Sequence, residues 1–370
     1  MSNLKLRKSP KMSKLYNQKH TGFTIKNKEK MRNFIHYLTP SIVSKTLSLC
    51  LILLMLAPID ISAQTREEGP WWPHPQWGAK DQAGASNWIT DTKVLRAVKL
   101  VTTGKVYELG HVYTPDMPLW GQRTFSLVTP NPYKQLTKKN TPVWNVDYFS
   151  GEFGQIGTQF DALGHTGMTM KMADGSEKDV FYNGFTRDEV NAGAYGLQAL
   201  GVEKVPPIIT RGILIDIATY KGVPVLDNEY EVSMADVLGS LELQGMNEET
   251  IEPGDAILFN YGWANNWENR AIYNDTSSPG IGVEVGLWIA ERKACLAGAD
   301  SPALEVLPMS DSSLGFPVHQ ELLIKNGIFI LENMDLRSLA TDRIYEFMFI
   351  FTPTPFKGAS GSPGSPVAIH

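Results

Sequence analysis

Short β-rich runs recur along this chain at Lys105 to Leu109, Gly212 to Ile217, Ala256 to Tyr261, Gly327 to Leu331 and Tyr345 to Phe351. Several are apolar nearly throughout, and a strand without a polar face must be covered on both sides. Helical patterns lie between them, as at Ser233 to Leu243 and Val283 to Ala297, with Asp300 and Pro302 punctuating the end of the second. Interleaved strands and helices predict an α/β architecture. The chain is 42% hydrophobic, enough for a large buried core. No repeat, charge block or low-complexity linker interrupts residues 64–370, which read as one domain.

The first 63 residues read differently. Met31, Arg32 and Lys45 precede an apolar run from Leu47 to Ala57, which leads to Ile61-Ser62-Ala63-Gln64. A basic start, a short apolar stretch and a small residue at the exit match a secretory signal peptide cleaved after Ala63, with Met31 an alternative start. The apolar run falls short of the roughly 20 residues that span a bilayer. An uncleaved anchor is the competing reading. Cys50 has no small residues before it and makes a poor lipoprotein site. The expected location is the periplasm or the exterior.

Residues 1–63 hold eleven of the 34 Lys and Arg and two of the 39 Asp and Glu, so the remainder carries a formal charge of −14. A domain this acidic disfavours nucleic acid and anionic membrane as partners. One cysteine, Cys295, remains beyond Cys50, which excludes an internal disulfide and a thiolate metal site. It sits on an expected helix face as a small buried hydrophobe. There is no Gly-x-Ser-x-Gly elbow, phosphate-cradling glycine loop or dinucleotide fingerprint.

The segment that carries chemistry is Gln155-Ile-Gly157-Thr158-Gln159-Phe160-Asp161, with His165 four residues on. As a strand it would present Gln155, Gly157, Gln159 and Asp161 on one face. The glycine would leave room for close approach to the backbone. Two amide carbonyls and a carboxylate form half the shell of a hard cation, and His165 could reach a bound water as acid or base. A polar edge strand with a satisfied histidine fits the same spacing.

The segment resembles the signature of the cyclase-type metal-dependent amidohydrolases, the group of bacterial kynurenine formamidase and isatin hydrolase. That signature runs His-x-Gly-Thr-His-x-Asp-x-x-x-His. Gly157, Thr158, Asp161 and His165 match in place, while Gln155 and Gln159 replace two histidines. Other stretches are similar to the same family in the same order. They are Trp77-Gly78 with Asp81, Gly84-Ala85 and Asn87; Tyr107 to His111 with Met117-Pro118; Arg211 to Asp216; and Gly254 to Leu258 with Gly262-Trp263. His319, Gly327 to Asn333 with Glu332, and Gly361-Ser362-Pro363 with Pro366 to Ile369 complete the series.

The resemblance implies a swivelling β/β/α single domain, usually a homodimer or homotetramer, that opens small cyclic or aromatic amides with a divalent metal. Carried over, Gln155, Gln159 and Asp161 are the metal residues, and His165, His319 and Glu332 the catalytic ones. Amide oxygens are weaker and harder ligands than imidazole, which favours Mn²⁺ over Zn²⁺. Two alternatives stay open: a metal shifted toward His165, His319 and Glu332, or no catalytic metal. The last would make the chain a metal-free binding protein, or a lyase or isomerase working through Asp161 and His165. His111 and His74 are secondary candidates, and Trp77, Trp88, Trp120 and Trp263 could line a flat substrate pocket or belong to the core.

Overall fold

In a computed structural model, residues 69–370 are described apart from 131, 138, 192, 194 and 274–276. The export segment expected at 1–63 lies outside the described residues. Nine strands form the main sheet: β1 (Val106–Glu108), β2 (Gln159–Asp161), β3 (Ile208–Asp216), β4 (Ala256–Asn260), β5 (Leu296–Ala299), β6 (Phe329–Glu332), β7 (Glu346–Phe351), β8 (Gly361–Pro363) and β9 (Val367–Ile369). They lie in the order β1-β9-β7-β3-β4-β5-β6-β2-β8.

The four central strands, β3 to β6, run parallel, and those outside them pair antiparallel. This explains the continuous apolar runs. A parallel strand needs a crossover that covers the sheet, so β4, β5 and β6 are buried along their whole length. The edge-ward β7 instead alternates, burying Phe347, Phe349 and Phe351 on one face. The architecture is the mixed α/β single domain that the sequence predicts.

Three helices of eight residues or more occur among the described residues: α1 (Asp91–Val98), α2 (Met234–Leu243) and α3 (Val283–Glu291). The Ser233 hydroxyl accepts from Asp236 N, and the Asp236 carboxylate takes the Ser233 N–H in return, a capping box that sets where α2 begins. The helix expected over Val283 to Ala297 stops at Glu291. Lys293 then turns the chain at φ 57°, and Leu296 opens β5, so Cys295 lies just before a strand rather than on a helix. The run Cys295-Leu-Ala-Gly-Ala gains backbone partners from β4 and β6 on both sides, which periodicity cannot reveal.

Between β1 and β2 the chain leaves the sheet as a ribbon, one long hairpin with two paired stretches. Phe125–Val128 pairs with Tyr148–Gly151, and Tyr133–Lys134 pairs with Val143–Trp144 farther out. No described helix is long and apolar enough to cross a membrane.

Candidate active site

Register builds the first half of the site. On the antiparallel pair β2 and β6, Gln159 lies opposite Glu332 and Asp161 opposite Ile330. Directly opposed side chains touch, and Gln159 Nε2 donates to Glu332 Oε2 at 2.7 Å. Asp161, two residues along, shares the face of Gln159. The expected strand over Gln155 to Asp161 is realised only from Gln159. Gly157 has φ 56°, which breaks the extended path, and a Cβ there would lie 2.6 Å from the Tyr113 ring. What approaches the glycine closely is therefore this tyrosine. Gln155 still reaches the cluster, with Nε2 3.5 Å from Asp161 Oδ1.

The second half comes from a short helix. Phe316 sits at φ 50°, Pro317 opens the turn, and the helix passes from α geometry at Pro317–His319 to π geometry at Gln320–Lys325. Such widened turns recur at functional sites. His319 lies at the junction. Its Nε2 is 3.8 Å from Asp161 Oδ2 and 3.4 Å from Glu332 Oε1, while Nδ1 is held by Glu305 Oε1 at 2.5 Å. The Glu305 carboxylate also accepts the backbone N–H groups of Val318 and His319, at 3.0 and 3.1 Å. One buried acid thus caps the helix start and orients its imidazole.

Donor atoms of Asp161, His319 and Glu332 lie within 4.8 Å of one another, and all three residues are buried. Two of the oxygens around them, Gln159 Oε1 and Asp161 Oδ2, are buried without a hydrogen-bond partner. Burial pushes the Asp161 carboxyl above its usual range, with His165 opposing the shift. Burial also penalises a charged His319, but its contacts with Glu305 and Glu332 outweigh this and hold its pKa well above normal. Three buried acidic side chains thus surround one imidazole, with unsatisfied oxygens beside them. A divalent cation fits this donor set, with two carboxylates, one imidazole Nε2 and an amide oxygen at hand.

His165 stands at the rim. The turn after β2 closes with His165 N donating to Ala162 O, which brings the ring to 3.9 Å from Asp161 Oδ1 and leaves the side chain 27% exposed. It lines a cleft of about 800 Å³ together with Gln159, His319, Glu332, Trp120 and Phe316. The Phe316 ring sets its edge against His319, with centroids 5.3 Å apart, and lies 6.3 Å from Trp120.

All six residues singled out in the sequence therefore come into one neighbourhood. Glu305 was not among them. Fourteen positions separate it from His319, and no spacing rule links a loop acid after β5 to a helix start. The available signal was its place at the carboxyl end of a central parallel strand, where α/β sheets build their sites.

The secondary candidates lie elsewhere. His111 stacks on Trp267 at 3.9 Å, and burial pushes its pKa down to about 4, as for a neutral packed ring. His74 stacks on Trp77 and accepts the N–H groups of Gln76 and Trp77 through Nδ1, organising its own turn. Of the four tryptophans only Trp120 lines the cleft, while Trp263 is buried and Trp77 packs edge-on against Trp88.

Residues 107–306 match the Cyclase family. Among solved structures, a protein described as a novel cyclase is similar at 30% identity with a TM-score of 0.68, over 80% of this chain and 96% of that one. Isatin hydrolase A from Ralstonia solanacearum has a TM-score of 0.53 at 18% identity, over 76% of this chain and 97% of its own. Isatin hydrolase A from Labrenzia aggregata, bound to benzyl benzoate, has a TM-score of 0.52 at 19% identity, over 71% and 93%. These two share the fold. No curated protein matches the chain.

Proposed function

Because the chain belongs to the cyclase family, we propose that it is a divalent-metal-dependent hydrolase opening a small cyclic or aromatic amide, imide or related carbonyl substrate. The observation that carries this reading is the buried triad of Asp161, His319 and Glu332, with the unpartnered oxygens of Asp161 and Gln159 beside it. A bound divalent ion would polarise the substrate carbonyl and acidify a water. The residues to hold it are Asp161, His319 and Glu332, with the Gln159 amide alongside. Gln155, expected among the ligands, turns its amide N–H toward Asp161, 3.5 Å from one carboxylate oxygen.

The rest of the chemistry belongs to side chains at the cleft. His165 takes the proton from the attacking water and returns it to the leaving nitrogen or oxygen. Glu332 is fixed by two donors, Gln159 Nε2 and the Leu304 N–H at 3.0 Å, so its position survives substrate entry. Trp120 and Phe316 offer aromatic faces to a flat substrate. Two structural neighbours are isatin hydrolases, in line with an aromatic cyclic substrate. The oxygen-rich donor set favours Mn²⁺ over Zn²⁺. Turnover of N-formyl, imide and cyclic amide compounds, abolished by chelator and restored better by Mn²⁺ than by Zn²⁺, tests the proposal. Protein that holds no metal under any loading and turns over nothing would instead be a binding protein that keeps the cleft.

Glu305→Gln probes how His319 is oriented. The amide keeps the size but loses the charge that fixes the ring through Nδ1. Affinity for Mn²⁺, read by equilibrium dialysis, is expected to fall about 10–100-fold, the range typical of outer-shell partners. Unchanged affinity would mean that the ring needs no such support.

The basic, apolar and small-residue order of the first 63 residues supports export to the periplasm. Expression in a Gram-negative host is expected to yield protein starting at or near Gln64 by N-terminal sequencing. Cytoplasmic protein that still begins at Met1 or Met31 would reject the assignment.

A further inference from the structure

Arg123 stands in the wall of the cleft without a partner. Gly121 takes φ 67° and turns the chain, and after the exposed Gln122 the next side chain, Arg123, is partly buried. It lines the cleft beside Trp120 and also a smaller cavity walled by Gln155 and Gln159. Among the described residues it makes no hydrogen bond or ion pair. The two acids that line the same cleft are engaged elsewhere. Glu152 accepts from Thr124 N and Oγ1 at 2.6 and 3.1 Å, and Glu332 accepts from Gln159 Nε2 and Leu304 N. A guanidinium offers its N–H groups in a planar fork that a carboxylate or phosphate fills two at a time. An arginine on an open surface leaves them to water, but this one lines a concave wall shared with His319 and Glu332.

Charge indicates what fills the fork. Arg123 is the one lysine or arginine among the described residues that line this cleft, in a 64–370 chain of formal charge −14. Such a chain repels anions at long range, so a local cation within the cleft is what lets one settle there. One guanidinium balances one charge. A carboxylate meets that, whereas a phosphate dianion leaves a negative charge over. Trp120, three residues earlier on the same segment, lies 6.3 Å from Phe316, and the two rings make an aromatic wall beside the guanidinium. The cleft's volume of about 800 Å³ is toward the upper end of the roughly 300–1,000 Å³ of small-molecule sites, which leaves room for a charged substituent beyond the reacting ring.

Resting on the hydrolase reading above, we propose that Arg123 is the anion subsite of the cleft and that the substrate is an aromatic amide or imide bearing a carboxylate, which the guanidinium grips while the amide faces the buried triad. Phthalimide and 4-carboxyphthalimide differ only in that carboxylate. The Mn²⁺-loaded parent turns over the acid with a KM about 10–100-fold lower, the worth of a hydrogen bond to a charged group. Arg123→Gln removes most of that advantage, through KM rather than kcat, Arg123→Lys restores part of it, and metal content stays that of the parent. Calorimetry on metal-free protein reads the subsite without turnover: 4-carboxyphthalimide binds more tightly than phthalimide, and Arg123→Gln removes the difference. If that difference holds while neither compound is hydrolysed, the anion subsite stands and the hydrolase reading falls. Equal affinities in the parent, or a difference that survives Arg123→Gln, overturn the subsite and leave the hydrolase reading untouched. Displacement of the acid by inorganic phosphate at lower concentration than by benzoate overturns the assignment to a carboxylate.

Discussion

Replacing His165 with alanine is expected to lower kcat by about 10²–10⁴-fold, the usual range for loss of a general acid or base, while the metal content stays that of the parent. The ring stands 3.9 Å from Asp161 and opens to the cleft, whereas the imidazole aimed between the two buried carboxylates is that of His319. A side chain that serves the substrate rather than the ion costs turnover and spares binding of the ion. Elemental analysis of the variant beside its kinetics separates the two roles. If the ion leaves with His165, this residue is a ligand and the proton carrier must be sought elsewhere.

Asp161→Asn is the complementary loss. This carboxylate is the meeting point of the cluster, within 4 Å of Gln155, His165 and His319. Its variant should lose more metal affinity than the 10–100-fold of an outer-shell change, and activity with it. The fold should survive. The amide is isosteric, and burial already disfavours the charge on Asp161, so neutralising it relieves the empty protein rather than straining it. Dialysis against Mn²⁺ and a thermal melt check both halves. A variant that keeps its ion and loses only turnover would move the ligand role away from this residue.

Much of the scaffold was legible because both-face burial leaves an unbroken apolar run, as in Ala256 to Phe259 and Phe329 to Leu331. Where two states share one hydrophobic pattern the reading failed. Leu296 to Ala299 continues the apolar character of α3, and only its neighbours β4 and β6 make it a strand. Within the site, Asp161 and His165 stand four residues apart and could be paired from spacing. His319 and Glu332 could not, since the β5-to-β6 crossover brings in the first and antiparallel pairing of β6 with β2 the second, and resemblance alone pointed to them. Glu305 had neither signal. The row from Gln155 to Asp161 was misjudged as one strand because glycine was weighed as space rather than as a left-handed turn. The ribbon between β1 and β2 escaped notice too. Its aromatic strands look in sequence like those of the core, and nothing local says which are covered.

The central claim is that Asp161, His319 and Glu332 hold one divalent ion. Metal stoichiometry by elemental analysis, on the parent protein and on His319→Ala and Glu332→Gln after identical loading with Mn²⁺, tests it most directly. Close to one ion per chain is expected in the parent and far less than one in each variant, with the fold retained. Full occupancy in both variants, or a parent that turns over substrate with no ion bound, would contradict it.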